Sequence, residues 1–258
     1  MSDWNPTSYL QFEEGRNKPI FDLLCHINEA NPLRIIDIGC GPGNSTAPLA
    51  AKYPYSEIIG IDSSPNMINK AQSAYPEIKW MVFDANNDFS DFGLFDIVFT
   101  NSTLHWLPNH NELLPRLFAL LNPNGVFAAQ ISYFFGTPIY EPLYSLVKTP
   151  KWDKYISIKE PTTYNDLGFY YDILSSSFST FDIWTTTHTH VLKSKKDIIE
   201  WYKTTGIKAF TDQIVSDEMK NEFLCDASQI VDQLYSPQKD GNYLLRFERL
   251  FFVAKRTV

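Results

Sequence analysis

Arg34-Ile35-Ile36-Asp37-Ile38-Gly39-Cys40-Gly41-Pro42-Gly43-Asn44 reads as a buried strand that runs into a glycine-rich turn and then a helix start. Leu33, Ile35, Ile36 and Ile38 supply the apolar, mostly β-branched run of a strand covered on both faces. Gly39, Gly41 and Gly43 let the backbone turn tightly and let a ligand approach with no Cβ in the way. A helix that begins just after such a turn offers free N–H groups to a polar or anionic ligand.

The spacing of the glycines bears on which ligand. The dinucleotide fingerprint needs its third glycine three positions after the second. Asn44 stands there, and the glycines run G-x-G-x-G. A second apolar strand, Ile58-Ile59-Gly60-Ile61, ends in Asp62. A carboxylate at that point can bind both hydroxyls of a ribose; it can also cap the next helix, in competition with Ser63 and Ser64. Asp37 either meets a cationic ligand end or only organises the turn. S-adenosylmethionine has such a cationic end and no pyrophosphate, so the stretch favours it over NAD.

Working outward, the pattern repeats. Pro19 is expected to open a helix through Ala30. After the glycine turn come a helix over about 45–52, the second strand, and a helix over 66–74 with a Ser63-Ser64-Pro65 start. Ile78–Val82 reads as strand three, ending near Asp84. Phe95–Phe99 is strand four, ending at Asn101. Glu112–Leu121 is helical, Asn122-Pro123-Asn124-Gly125 is a turn, and Val126–Ile131 is strand five. This alternation is that of a doubly wound parallel α/β sheet, whose ligands lie outside the carboxyl ends of the strands. The expectation is one domain over 1–258: an N-terminal segment (1–30) folded over the cofactor cleft, a cofactor-binding core (31–132), helical lid insertions (133–180 and 194–240) and closing strands (181–193 and 241–258).

The bulk composition excludes several classes. A formal net charge of −8 argues against a general nucleic-acid or anionic-membrane binder. Cys25, Cys40 and Cys225 are scattered and odd in number, with neither a disulfide framework nor zinc spacing, so no metal is expected and a reducing cytoplasm is the default. No apolar run approaches the ~20 residues that span a membrane. A monomer is expected. Asp91-Phe92-Gly93 spells a kinase triplet without its accompanying motifs.

The run Asp37-x-Gly39-x-Gly41-x-Gly43, with Asp62 after strand two, resembles the class I S-adenosylmethionine-dependent methyltransferases. A further resemblance runs through most of the chain. Trp4-Asn5-Pro6, Tyr9, Arg16 with Pro19, Gly60-Ile61-Asp62-Ser63-Ser64 with Met67, Asn101 with Leu104-His105-Trp106 and His110, Ala129-Gln130, Trp201-Tyr202-Lys203 and Phe247-x-Arg249-x-Phe251 are similar to the trans-aconitate methyltransferase family. The resemblance implies a Rossmann-like seven-stranded sheet with the last strand antiparallel. It also implies methyl transfer from S-adenosylmethionine to a carboxylate oxygen of a small polycarboxylic acid. The lid matches less closely, which leaves open another small or carrier-bound acid, or a non-catalytic S-adenosylmethionine-binding protein.

A carboxylate is already ionised at pH 7, since its pKa lies near ~4. The transfer therefore needs no general base, and catalysis is expected to rest on proximity and alignment. The cofactor candidates are Asp37, Gly39, Gly41, Gly43, Asp62, Ser63, Met67, Asp84 with Ala85 at the adenine, Asn101 and Arg16. Asp84 could instead be a solvated loop acid. Asn101, His105 and Trp106 are the catalytic candidates, near the methyl-transfer zone; the last two could equally be core. Arg16 could take the cofactor carboxylate or the substrate. Tyr9, His105, Trp106, Tyr133 and Arg246 complete the substrate set, because a polycarboxylate needs donors such as arginine.

Overall fold

The apolar run ahead of the glycines folds as β1 (Arg34–Ile38), with Ile35, Ile36 and Ile38 sealed from solvent. The computed structural model describes residues 13–133, 137–157 and 165–257. Its other elements are α1 (Glu13–Cys25), α2 (Thr46–Lys52), β2 (Glu57–Asp62), α3 (Pro65–Ala74), β3 (Lys79–Val82), β4 (Phe95–Asn101), α4 (His110–Phe118), β5 (Leu121–Ser132), α5 (Tyr140–Val147), α6 (Leu167–Ser177), β6 (Thr180–Leu192), α7 (Lys195–Lys203), α8 (Lys208–Thr211), α9 (Asp217–Leu234) and β7 (Tyr243–Lys255). A 3-10 turn at Leu104–Trp106 follows β4.

The strands form a seven-stranded sheet in the order β3-β2-β1-β4-β5-β7-β6. The pairs β1–β2, β1–β4, β2–β3 and β4–β5 are parallel, and β7 runs antiparallel to β5. This is the Rossmann-like fold expected from the sequence. The winding reverses between β1 and β4, so their carboxyl ends flank the crevice where ligands of such sheets bind.

Register assigns the two faces. Ile35, Ile97, Phe99, Val126, Ala128 and Phe251 form one, against Ile20, Leu23 and Leu24 of α1 and Leu49 of α2. On the other, Phe127 meets Phe118 of α4 edge-on at 4.8 Å, and Phe252 stacks on Tyr170 of α6 at 5.7 Å. Each such aromatic contributes ~1.5–3 kcal/mol by burial.

The described chain divides into two compact units. The core unit takes in 13–132, 165–186 and 249–257; the second takes in 133, 137–157 and 187–248. The second unit has its own interior: Trp152 lies edge-on to Phe223 at 5.0 Å, and Tyr144 edge-on to Phe210 at 5.5 Å. Asp226 accepts from Lys151 at 2.7 Å and from the Trp152 indole at 2.9 Å. Among the described residues, no helix is long and apolar enough to cross a membrane.

Three elements differ from the sequence expectation. The first described helix, Glu13–Cys25, holds Pro19 inside it: the ring removes one i to i−4 bond and crowds the carbonyl four residues back, and the burial of Ile20, Leu23 and Leu24 keeps the helix going. It stops at Cys25, where i to i+3 bonds from His26 and Ile27 tighten the last turn. The Asn122–Gly125 turn is a bulge within β5: Leu121 pairs with Phe95 and Val126 already with Ile97. Helix α6, placed in the insertion by the sequence, belongs to the core unit, since its buried Tyr170 and Leu174 complete the core.

Candidate active site

The glycine turn is tied to the end of β2. Gly39 and Cys40 both donate their N–H to the Ile61 carbonyl, at 2.8 and 2.9 Å. The Gly41 N–H donates to Asp62 Oδ2 at 3.0 Å, and Asp62 Oδ1 accepts the Ser64 N–H at 2.9 Å. Ser64 itself caps α3 by accepting from the Met67 N–H. Two glycines do different work here. A Cβ at Gly39 would overlap the Thr103 side chain, so this residue lets the loop after β4 close onto the turn. At Gly41 a Cβ would meet nothing within 4 Å, at a positive φ of 55°, so that position faces open space.

Asp37 lies beneath the turn, fully buried. Its Oδ2 accepts from the Ser45 hydroxyl at 2.6 Å and the Thr46 hydroxyl at 2.7 Å, which anchors the start of α2, while Oδ1 has no partner among the described residues. Burial pushes its carboxyl up to about 6, against the pull of the two hydroxyls, with the Asp62 charge adding to the rise.

Beyond β3, Asp84 is exposed and its Oδ1 accepts the backbone and side-chain N–H groups of Asn86, both at 2.9 Å. Ala85 beside it is buried. The Arg116 guanidinium donates to the Ala85 and Asn86 carbonyls at 3.0 and 3.1 Å, which pins this loop. Ser63 is exposed, whereas the Met67 side chain is buried.

At the end of β4, Asn101 is buried with its Oδ1 lacking a donor among the described residues. His105 is 4% exposed, its ring 5.1 Å from that of the half-buried Trp106. Burial first, then the nearby charges of Arg249 and His110, push the His105 imidazole down to about 3, so it is neutral at pH 7. His110 staples the 3-10 turn. Its Nε2–H donates to the Leu104 carbonyl at 2.8 Å, so its Nδ1 accepts from the Tyr170 hydroxyl at 2.9 Å.

The structure thus gathers Asp37, Gly39, Gly41, Gly43, Asp62, Asn101, His105 and Trp106 in the core unit, on the strand ends and the loops that follow them. Arg16 lies within α1. Tyr9 lies outside the described residues. Tyr133 and Arg246 belong to the second unit, and Arg246 is exposed. Sequence reasoning quoted Gln130 and Arg249 only among the residues of the resemblance, passed over Ser132 and Ser102, and put Arg246 rather than Arg249 in the substrate set. The signal available was strand alternation: positions three apart point to opposite faces, so one of the two arginines had to turn inward. It is Arg249, at 5% exposure.

The Methyltransferase domain family matches residues 36–127, which run from within β1 to within β5. A trans-aconitate 2-methyltransferase of Shigella dysenteriae is 40% identical over 257 residues, covering 100% of both chains. One of Escherichia coli is 39% identical over the same span. The chain belongs to the trans-aconitate 2-methyltransferase family. Like the rest of that family it is an S-adenosylmethionine-dependent methyltransferase. Solved structures agree on the fold. The YcgJ protein of Bacillus subtilis superposes with a TM-score of 0.60 at 14% identity, over 92% of this chain and 97% of that one. Phosphoethanolamine N-methyltransferase 2 of Haemonchus contortus gives 0.61 at 16% identity, over 100% of this chain and 58% of that one. The residues present fit the family's cofactor: the open space at Gly41, the half-buried Asp62 carboxylate and the Asn101 oxygen lie at the carboxyl ends of β1, β2 and β4 or in the loop that follows.

Proposed function

We propose that this chain methylates a carboxylate oxygen of a small polycarboxylic acid, with trans-aconitate the preferred acid, giving a monomethyl ester and S-adenosylhomocysteine. The observation that carries this reading is the end-to-end identity to trans-aconitate 2-methyltransferases. It extends through the second unit as well as the cofactor core. The reading places the protein in a reducing cytoplasm, where the exposed Cys25 and Cys225 stay as thiols.

S-adenosylmethionine, when bound, supplies the electrophilic methyl group. The chain's own part is to bind and align. Asp62 takes the ribose hydroxyls from its place at the carboxyl end of β2, since a carboxylate there can accept from both. Ala85 and Asp84 border the adenine. Asp37 acts from below, holding the turn and α2 in register rather than touching the ligand. Asn101 and His105 line the transfer zone. A neutral His105 suits this chemistry, because an ionised carboxylate has no proton to give up and needs no base. Alignment of the acid with the methyl group is worth up to ~7–11 kcal/mol in favourable cases. Arg16 and Tyr9 are the further candidates for binding the acid or the cofactor.

Labelled S-adenosylmethionine offered with a panel of di- and tricarboxylates tests the reading. Trans-aconitate should accept label with kcat/KM at least ~10-fold above the other acids, a difference of ~1.4 kcal/mol in transition-state binding. If no carboxylic acid accepts label, the reading fails.

A further inference from the structure

The carboxyl edge of the sheet carries a second polar set. Register pairs Asn101 with Gln130 and Ser132 with Arg249, and Gln130 and Ser132 are two apart on β5, so all four side chains share one sheet face. They are 9%, 0%, 8% and 5% exposed in that order. Buried polar groups in such numbers normally answer to one another or to a ligand.

The donors in this row are oriented. Ser102, at a positive φ of 55°, donates its N–H to the Gln130 carbonyl at 3.0 Å. Its hydroxyl donates to Gln130 Oε1 at 2.7 Å. With Oε1 so engaged, Nε2 is the donor end of the amide, and it has no acceptor among the described residues. A buried amide donor left in that state is costly, and a ligand oxygen would satisfy it. Next along the face, Arg249 Nη1 donates to Ser132 Oγ at 2.6 Å. With its oxygen engaged, Ser132 turns its own O–H to a further acceptor. An amide N–H, a hydroxyl and a guanidinium on one buried face suit an anion with flat, paired oxygens.

We propose that Gln130, Ser132 and Arg249 are the specificity-determining residues that hold a non-reacting carboxylate of the acid. The inference rests on the carboxylic acid reading above. Donors that strong on the attacking oxygen would draw off the electron pair it must give to the methyl carbon. The held carboxylate is therefore a second one, and the attacking oxygen lies away from these donors with its electron pair available. The pocket explains a preference for polyacids over monoacids.

The test compares Gln130→Met, which keeps the side-chain length and removes the donor, with Arg249→Gln and Arg249→Lys. Melting temperature and calorimetric affinity for S-adenosylhomocysteine are read alongside kinetics. Gln130→Met should raise KM for trans-aconitate about tenfold or more, the size of one lost hydrogen bond to a charged group, with cofactor-product affinity unchanged. Arg249→Gln should raise it further, and Arg249→Lys should recover part of the loss. Activity on a matching monoacid should stay as in the wild type, so the polyacid preference collapses. If Arg249→Gln does not fold, Gln130→Met decides. A wild type that methylates acids beside variants with unchanged KM overturns this inference alone. Equal losses in acid and S-adenosylhomocysteine affinity overturn it in favour of a structural role. A wild type that accepts no acid overturns both readings.

Discussion

At the scale of single residues, the two carboxylates of the glycine turn behave oppositely. Asp62 is half-buried and fixes the turn through the Gly41 and Ser64 N–H groups. Asp62→Ala should weaken S-adenosylmethionine binding by ~10–100-fold, the size of one or two hydrogen bonds to a charged group. Calorimetry giving near-normal affinity would remove the ribose role. Asp37 is fully buried, and its folded pKa of about 6 lies above the 3.8 of a free carboxyl. The folded state therefore holds the proton more tightly. Stability from this group is present below about pH 4 and is lost as pH rises through about 6, by up to ~3 kcal/mol. Asp37→Asn removes that dependence, so urea melts should show the variant gaining on the wild type from pH 4 to pH 7.5. A constant gap would mean that Asp37 titrates normally. Both carboxylates stood out in the sequence because each follows an apolar strand. Their difference did not, since burial depends on what α2 brings over Asp37, and a linear motif does not carry that.

At the scale of elements, the 3-10 turn after β4 is positioned from a distance. Tyr170 of α6 donates to His110, and His110 donates to the Leu104 carbonyl beside His105 and Trp106. Tyr170→Phe should cost ~1 kcal/mol of stability and leave S-adenosylmethionine affinity unchanged. An unchanged melting temperature would show that the chain of bonds carries no weight. The contact spans sixty residues, so nothing local in the sequence announces it. What was local was legible: the Ser64 and Ser194 caps fall where a serine precedes a helical run. The misread elements had competing local signals. Pro19 resembled a first-turn proline, and Asn122–Gly125 resembled a hairpin turn, while the buried Ile20, Leu23 and Leu24 kept the helix going and the buried Leu121 and Val126 kept the strand going.

At the scale of the whole molecule, the cofactor half was readable because strand, turn and helix follow one another in order, each with its own periodicity. The acid-binding half was less so. Gln130 sits in an apolar run, and its amide matters only because register sets it beside Asn101 and because Ser102 bonds its oxygen. Arg246 and Arg249 are alike in a string and differ only by which face of β7 each takes.

The path of β6 and β7 has a further consequence. Both strands begin in one compact unit and end in the other. No single cut, and no pair of cuts at loops, excises the second unit while keeping all seven strands of the sheet. A change of acid preference is therefore more accessible by point substitution than by transplanting a block of sequence. Chimaeras between relatives would have to join mid-strand, with the pairing register as the constraint on every junction.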